Sequence, residues 1–167
     1  MLVVVSDTHS NGGHALSGRT LEAVREAERV VHAGDFTTAS ALDAFHGEAA
    51  RLDAVHGNAD DAAVRDRLPD ARSLEWAGLR VAVTHKRDGG PTGLAMFGRE
   101  RGADLVISGH SHQPGVTRTD DVVLLNPGSH AQPRGNRPGH AELEETEEGV
   151  RGRLYQPDGD AFEEFSL

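Results

Sequence analysis

The chain has 167 residues, contains no cysteine and carries a formal net charge of −10. This length fits one domain with a single core, which we expect to span residues 1–167, and the charge argues against tight binding to a nucleic acid polymer. Without cysteine, disulfides and thiolate metal sites are excluded. A metal ion would be held by His, Asp and Asn side chains, which favours Mn, Fe, Co, Ni or Zn.

The composition and the apolar runs also indicate the type of organism and the cellular location of the protein. Lys86 is the only lysine, and an acidic, lysine-poor chain resembles proteins of salt-loving (halophilic) organisms, with an ordinary acidic protein as the alternative. No apolar run is long enough to span a membrane. The run Val3–Val5 is too short for a signal peptide, and no basic segment precedes it. We therefore expect a cytoplasmic protein without a membrane partner.

The first half of the chain alternates short apolar runs with helical patterns. The runs at 2–5, 29–33 and 52–56 predict buried strands. Helices are predicted for 14–28, with core contacts from Leu16, Leu21 and Val24, and for a short segment that ends at Phe45 and is capped by Thr37, Thr38 or Ser40. A brief helix capped by Asp60 or Asp61 follows the third run. This alternation predicts a parallel α/β arrangement.

The second half is richer in β-structure. A hairpin is predicted for 73–76 and 79–84, with its turn at Ala77-Gly78, and a helix for Pro91 to Arg101, ended by Gly102. Further strands are predicted at 104–108, 115–118, 122–126, 141–145, 150–155 and 161–165. A loop rich in Pro and Gly covers 126–139, and the acidic run 142–148 is expected on the solvated face of a hairpin.

These elements predict an α/β fold. We expect a four-layer αββα sandwich, in which two mixed β-sheets pack face to face with helices outside. The first sheet is expected to be mainly parallel and the second mainly antiparallel.

Five predicted strands end at side chains that can bind a metal ion. These side chains are Asp7, His9, Asp35, Asn58, His85, His110 and His112. Ligands bind at the carboxyl ends of strands in open α/β sheets, so we expect the seven to converge. Gly34, Gly57 and Gly109 precede three of them and permit the required backbone turns and close approach. A single histidine at a strand end is usually structural, but seven such residues are hard to explain as surface decoration.

The same residues form a recognisable series of blocks. The segments Asp7-x-His9, Gly34-Asp35, Gly57-Asn58-x-Asp60, Thr84-His85 and Gly109-His110-x-His112 resemble, in order and spacing, the five blocks of the calcineurin-like metallophosphoesterases. The small size, the segment 126–129 (Asn-Pro-Gly-Ser) and the segment 133–135 (Pro-Arg-Gly) are similar to the small single-domain phosphodiesterase subfamily. That subfamily includes the metal-site-bearing scaffold subunit of retromer.

The resemblance implies a site for two divalent metal ions, with manganese as the first choice and Ni, Co, Fe or Zn as alternatives. One ion would be held by Asp7, His9, Asp35 and His112. The other would be held by Asp35, Asn58, His85 and His110, so that Asp35 bridges the two. The resemblance further implies a phosphodiesterase that hydrolyses a small phosphodiester by in-line attack of a metal-bridging hydroxide, with Asp35, Asn58 and His110 as catalytic residues.

Two other functions stay open at this point. One is a metal-binding scaffold or interaction protein of the same fold with little catalysis, and the other is a nuclease. The complete ligand set argues against the scaffold, and the acidic charge argues against the nuclease. The resemblance also leaves a homodimer or a higher homo-oligomer open.

The chain departs from the family pattern at two positions. Ala59 stands where many members have a histidine that is proposed to protonate the leaving group, so we expect modest turnover and dependence on good leaving groups. Lys86-Arg87 follows His85 where the family often reads Gly-His. Both basic residues are candidates for binding the substrate phosphate, the alternative being solvated loop charges.

Several further residues are candidates for contacting the substrate or for supporting the metal ligands. His130 and Arg134, in the long loop, are additional candidates for contacting substrate. His32 is predicted to support the site or to be structural. Asp60 is predicted to orient Asn58 or to cap a helix rather than to bind metal.

Overall fold

A computed structural model describes all residues, 1–167, as a succession of strands and helices. The eleven strands are, in chain order, β1 (Leu2–Val5), β2 (Arg29–His32), β3 (Leu52–Ala54), β4 (Ala71–Trp76), β5 (Leu79–Thr84), β6 (Leu105–Ile107), β7 (Gly115–Arg118), β8 (Val123–Asn126), β9 (His140–Thr146), β10 (Gly149–Tyr155) and β11 (Ala161–Ser166). The four helices are α1 (Gly18–Glu26), α2 (Ala39–Glu48), α3 (Ala62–Arg65) and α4 (Gly90–Glu100). The longest helix has 11 residues, and none combines the length and apolarity that a membrane crossing needs.

The strands form two mixed sheets. The first has the order β11-β10-β9-β1-β2-β3, and the second has the order β4-β5-β6-β8-β7. In the first sheet β1, β2 and β3 are parallel to one another, whereas β9, β10 and β11 join by antiparallel pairing. In the second sheet β5, β6 and β8 are parallel, and β4 and β7 pair antiparallel at the two edges.

The prediction of two mixed sheets is confirmed, but the expected division into a mainly parallel first sheet and a mainly antiparallel second sheet was wrong. The C-terminal strands return to the first sheet, where Leu143 pairs with Leu2 and Ala141 pairs with Val4. All four of these side chains belong to one buried cluster between the sheets. β9 therefore extends the first sheet beside β1, and together with β10 and β11 it makes this sheet mostly antiparallel.

Four layers result from the way the helices pack. The cluster between the two sheets contains Val31 from the first sheet and Val81, Leu105 and Leu125 from the second. On the outer face of the first sheet, side chains of α1 and α2 bury Val3 and Val5. On the outer face of the second sheet, Phe97 of α4 joins a cluster with Val106. The predicted αββα sandwich is confirmed.

Two local predictions needed correction. The first helix was expected to begin at His14 but begins at Gly18, because Ala15 has a φ value of 57°, which interrupts helical geometry before that residue. Leu16 is still buried, although it precedes the helix. In the acidic run, Glu142 is buried rather than solvated, because its carboxylate pairs with Arg19 (2.6 Å) and His140 (2.9 Å).

Candidate metal centre

The loops that follow β1 and β2 are joined by backbone hydrogen bonds. The N–H of Asp7 donates to the carbonyl oxygen of Gly34 at 2.9 Å, and the N–H of His9 donates to that of Asp35 at 3.0 Å. In the other sheet, the N–H of Gly109 donates to the carbonyl oxygen of His85 at 3.0 Å. These bonds extend the pairing of the strands into their loops, so side chains from separate parts of the chain are held at one end of the sandwich.

Five of the seven predicted ligands adopt a left-handed backbone conformation. The φ values are 54° at Asp7, 41° at His9, 63° at Asp35, 72° at His110 and 57° at His112. Each such residue costs about 1–3 kcal/mol and persists only where the surrounding structure enforces it. Strain of this kind is concentrated at functional sites, and here it turns the side chains toward one another.

The glycines expected to permit close approach do so. A Cβ atom on Gly57 would lie 2.1 Å from Oδ1 of Asp35, and one on Gly109 would lie 2.6 Å from Oδ2 of Asp7. Gly34 has a φ of 96°, which other residues rarely adopt. These predictions are confirmed, because any side chain at Gly57 or Gly109 would displace a carboxylate of the cluster.

The carboxylates and imidazoles form a tight group. Oδ2 of Asp35 lies 3.2 Å from Nε2 of His85 and 3.5 Å from Nε2 of His9. Oδ1 of Asp7 lies 3.3 Å from Nε2 of His112. Two sets of three residues have ligand atoms within 4.8 Å of one another, and either set could hold a metal ion: Asp7, His9 and His112, and Asp7, Asp35 and His85.

The donor set fits a divalent metal ion. Nε2 of His9 is buried and has no hydrogen-bond partner, although it lies between two carboxylates. A buried polar atom without a partner is costly, and a coordinated cation would satisfy it. Nδ1 of His85 and Nδ1 of His112 each bond to a backbone carbonyl, of Ala33 and Gln132 respectively. That bond fixes the ring and leaves Nε2 free to bind a metal.

Asn58 and His110 lie at the exposed rim of the cluster. Oδ1 of Asn58 is 3.2 Å from Nε2 of His85, and the ring of His110 is 5.3 Å from the ring of His85. The backbone N–H of His110 donates to Oδ2 of Asp7 at 3.0 Å. The structure therefore brings all seven predicted ligands together, with these two facing the solvent side.

The electrostatics suit coordination. Burial raises the pKa of Asp35, but the hydrogen bond and charge of His85 outweigh it and hold this pKa at about 2. Burial lowers the pKa of His9 despite the nearby carboxylates, and burial together with His85 and Lys86 lowers the pKa of His110. Burial lowers the pKa of His85, but the hydrogen bond and charge of Asp35 outweigh it and raise this pKa. Ionised carboxylates and neutral imidazoles are the forms that bind metal, so a metal ion at His85 would displace a proton.

Asp60 links the loops of the site, and it does not cap the helix that follows. Its carboxylate accepts backbone N–H groups from Asp35 (3.0 Å), Thr37 (2.7 Å) and Gly57 (2.6 Å). The cap of α3 is instead Asp61, whose side chain accepts the N–H of Val64 at 2.9 Å. Asp60 thus joins the loop after β2 to the loop after β3, which carries Asn58, and it does not cap a helix.

A second support was not predicted from the sequence. Oγ of Ser129 donates to the carbonyl oxygen of Asp7 at 2.7 Å and accepts the N–H of Gln132 at 2.9 Å. The carbonyl of Gln132 in turn bonds to His112. The long loop thereby backs two predicted ligands, and the only sequence signal for it was the Asn-Pro-Gly-Ser segment noted in the resemblance.

The two basic residues after His85 lie in different surroundings. Lys86 is exposed and lines the clefts on both sides of His85, one that contains Asn58 and one that contains His110. The guanidinium of Arg87 instead lies over the ring of Phe97 (4.5 Å) and 3.6 Å from Asp70. Lys86 is therefore the basic residue free to contact a ligand of the centre.

The remaining candidates are His130 and Arg134 of the long loop 126–139, and His32 at the end of β2. His130 bonds through its ring to Thr20 (2.9 Å) and to the N–H of Ser17 (3.2 Å). Arg134 is exposed, and its charge helps to lower the pKa of His9 after the larger effect of burial. His32 is fully buried and stacks on Phe36. Its Nδ1 accepts the N–H of Gly34 at 3.1 Å and its Nε2 bonds to Oγ1 of Thr8 at 3.0 Å, so it supports the loops that carry the predicted ligands, which is one of its two predicted roles.

Comparisons with known proteins agree with this geometry. A model of the calcineurin-like phosphoesterase superfamily domain matches residues 1–149. A protein of Methanothermobacter thermautotrophicus, named "Probable metallophosphoesterase", is 36% identical over 138 residues, which make up 80% of this chain and 79% of the relative. A protein of Methanocaldococcus jannaschii, named a phosphodiesterase, is 27% identical over 136 residues, or 75% of this chain and 81% of the relative.

A solved structure shows the same fold. The crystal structure of Vps29 from Entamoeba histolytica, complexed with Zn²⁺, matches with a TM-score of 0.81 and 20% sequence identity. The match covers 99% of this chain and 98% of Vps29. The similarity therefore includes both sheets and the C-terminal strands.

Proposed function

The chain belongs to the calcineurin-like phosphoesterase superfamily and is a metallophosphoesterase, and we propose that it hydrolyses a small phosphodiester at a centre of two divalent metal ions. The relative from Methanocaldococcus jannaschii that is named a phosphodiesterase supports the choice of a diester. Manganese, a cytoplasmic location and a single domain over residues 1–167 stay predictions.

One observation carries the proposal of two ions. Oδ2 of Asp35 faces Nε2 of His9 on one side and Nε2 of His85 on the other, at 3.5 and 3.2 Å. The two imidazoles belong to the two different predicted ligand sets. A carboxylate oxygen between them supports the proposal of an ion beside each imidazole, and the orphaned Nε2 of His9 supports the ion on its side.

The ions, when bound, would lower the pKa of a coordinated water and polarise the phosphoryl group. The chain supplies the remaining functions. Asp7 and Asp35 contribute the negative charge that holds the ions, and the left-handed backbone at both residues fixes their direction before substrate arrives. His110 and Asn58, exposed at the rim, lie where substrate would approach.

Lys86 supports a diester rather than a monoester. It is the only lysine of the chain and lines both clefts beside the centre, with volumes of about 450 Å³ and 240 Å³. A diester carries one negative charge, which one ammonium group can match. Arg87 also lines both clefts, but its guanidinium is engaged by Asp70 and Phe97. Arg65, which lines the smaller cleft, donates to the carbonyl oxygens of Asn58 and Asp60. The two clefts provide room for the two ester groups.

A second candidate is a metal-binding interaction protein with little catalysis. Ala59 favours it, because this exposed position lacks the histidine that could protonate a leaving group. The nuclease is disfavoured by the net charge of −10. Activity measurements separate the first two candidates.

The test begins with metal-free protein. Mn²⁺, Ni²⁺, Co²⁺, Fe²⁺ or Zn²⁺ is added singly, and hydrolysis of bis(p-nitrophenyl) phosphate is compared with that of p-nitrophenyl phosphate, at low and at molar salt. We expect the diester to be hydrolysed faster. Asn58→Ala and His112→Ala should each lower the rate at least about tenfold, whereas His46→Ala, an exposed histidine on α2, should leave it unchanged. No activity with any metal at either salt concentration would contradict the enzyme and favour the interaction protein.

A further inference from the structure

A second charged cleft lies between β3 and β4, the edge strands of the two sheets. Its volume is about 690 Å³, and none of its lining residues is a predicted metal ligand. Its charged lining consists of four arginines and two carboxylates: Arg29, Arg51, Arg72, Arg80, Asp53 and Glu75. The cleft is therefore positive by two charges on a chain whose net charge is −10.

Asp53 organises the arginines. Its Oδ2 accepts a hydrogen bond from Nε of Arg29 at 2.7 Å, and its Oδ1 accepts one from Nη1 of Arg72 at 2.7 Å. Nε of Arg51 lies 3.3 Å from Oδ2. Asp53 and Arg29 are buried, and Nη1 of Arg29 also donates to the carbonyl oxygen of Glu75 at 2.9 Å. Three guanidinium groups from β2, β4 and the residue before β3 are thus gathered around one carboxylate.

One carboxylate does not use all of these donors. Nη1 and Nη2 of Arg51, and Nε and Nη2 of Arg72, form no hydrogen bond within the protein. The side chains of Arg51 and Arg72 are 63% and 33% exposed, so these groups are accessible from the cleft. Guanidinium groups bind oxyanions through paired, charge-assisted hydrogen bonds. The excess of two positive charges would match a dianion.

We propose that this cleft binds a small multivalent oxyanion of the phosphate or pyrophosphate class. Arg51, Arg72 and Arg80 contact the anion, and Asp53 with Arg29 holds the arginines in place. The site is independent of the metal centre and of the function proposed for it. The alternative is that the arginines only join two edge strands and keep their charged edges from pairing with other chains.

The single tryptophan of the chain offers a direct readout. Trp76 follows Glu75, and its indole N–H donates to Glu28, the residue before Arg29, at 2.9 Å. The protein is first stripped of metal on a chelating resin, so that no anion can bind through a metal. It is then titrated with pyrophosphate while the fluorescence of Trp76 is recorded. Sodium chloride of matched ionic strength controls for general screening. An Asp35→Asn background confirms that the metal centre is not involved.

We expect a saturable response with a Kd below about 1 mM. The double variant Arg51→Gln/Arg80→Gln, which removes only exposed arginines and leaves Asp53 paired with Arg29 and Arg72, should weaken binding at least tenfold. Arg99 is an exposed arginine of α4 that pairs with Asp121, and the variant Arg99→Gln should bind pyrophosphate as the wild type does. A linear response equal to that of sodium chloride, or the same Kd in the double variant, would overturn the proposal and leave the arginines as a link between the sheets.

Discussion

The carboxylate of Asp60 accepts the backbone N–H of Asp35 at 3.0 Å, so an acidic residue outside the predicted ligand set fixes the residue predicted to bridge the metals. The same carboxylate holds Thr37 and Gly57. Asp60→Ala should lower the free energy of unfolding by about 3 kcal/mol, because three backbone donors lose a charged acceptor. It should also weaken metal binding, since the loops that carry Asp35 and Asn58 lose their link.

The matched control is the neighbouring residue Asp61, which caps α3. Asp61→Ala removes the N-cap of α3 and should cost about 1 kcal/mol without changing metal affinity. Urea denaturation and calorimetric metal titration measure both quantities. Equal metal affinities for the Asp60→Ala variant and the wild type would show that Asp60 contributes to stability alone.

Ala59 is the position at which an added proton donor should have the clearest effect on catalysis. Its side chain is exposed, so a larger residue meets no packed core, and its N–H donates to Oδ1 of Asp35 at 2.7 Å. Ala59→His should raise kcat/KM most for diesters with poor leaving groups, because general acid catalysis is worth about 10²–10⁴-fold. The measurement is kcat/KM across a series of leaving-group pKa values. An equal factor across the series would count against proton donation by the new histidine.

Lys86 and Arg87 should respond differently to removal. Lys86→Ala should raise KM for a charged diester about fivefold, the effect of losing about 1 kcal/mol of exposed charge attraction. Arg87→Ala should instead lower the free energy of unfolding by about 0.5–1 kcal/mol, because it loses its contact with Phe97. Steady-state kinetics and urea denaturation on both variants test this. Unchanged KM in Lys86→Ala would assign Lys86 to the solvated surface.

Glu142 should make the stability of the fold depend on acid pH. Burial raises the pKa of Glu142, but bonds from His140 and Arg19 outweigh it and hold this pKa at about 2, below its ordinary value of 4.5. The stabilisation is therefore present above about pH 4.5 and is lost as the pH falls toward 2. Urea midpoints between pH 7 and pH 3 should fall less steeply in Glu142→Gln than in the wild type.

The control for this pH dependence lies on the same strand. Glu144 is exposed on β9, so Glu144→Gln should reproduce the wild-type profile. A profile of Glu142→Gln that is parallel to the wild type would show that other carboxylates cause the acid destabilisation.

The sequence predicted most elements and the layers, because apolar periodicity reports which residues are buried. It did not show where β9 pairs, since Ala141 and Leu143 would be equally buried in either sheet. The burial of Glu142 was missed for a related reason. Its partner His140 is two residues away on the same face of β9, but Arg19 becomes a neighbour only when α1 packs beside β9, and the run of acidic residues suggested solvent.

The gathering of the site could be predicted because its residues follow strands whose carboxyl ends meet. The supporting roles of Asp60 and Ser129 could not be predicted, because both side chains bond to backbone groups, which every residue supplies. The separate surroundings of Lys86 and Arg87 likewise depend on Phe97 and Asp70, which are distant in sequence.

We propose that Asp35 joins two metal ions at which a diester is hydrolysed. The most direct test titrates Mn²⁺ into metal-free protein and records bound metal and hydrolysis of bis(p-nitrophenyl) phosphate in the same samples. We predict that two ions bind per chain and that activity follows the second. His112→Ala and Asn58→Ala should each bind fewer ions and lose activity. Full activity with one bound ion, or in either variant, would contradict the account.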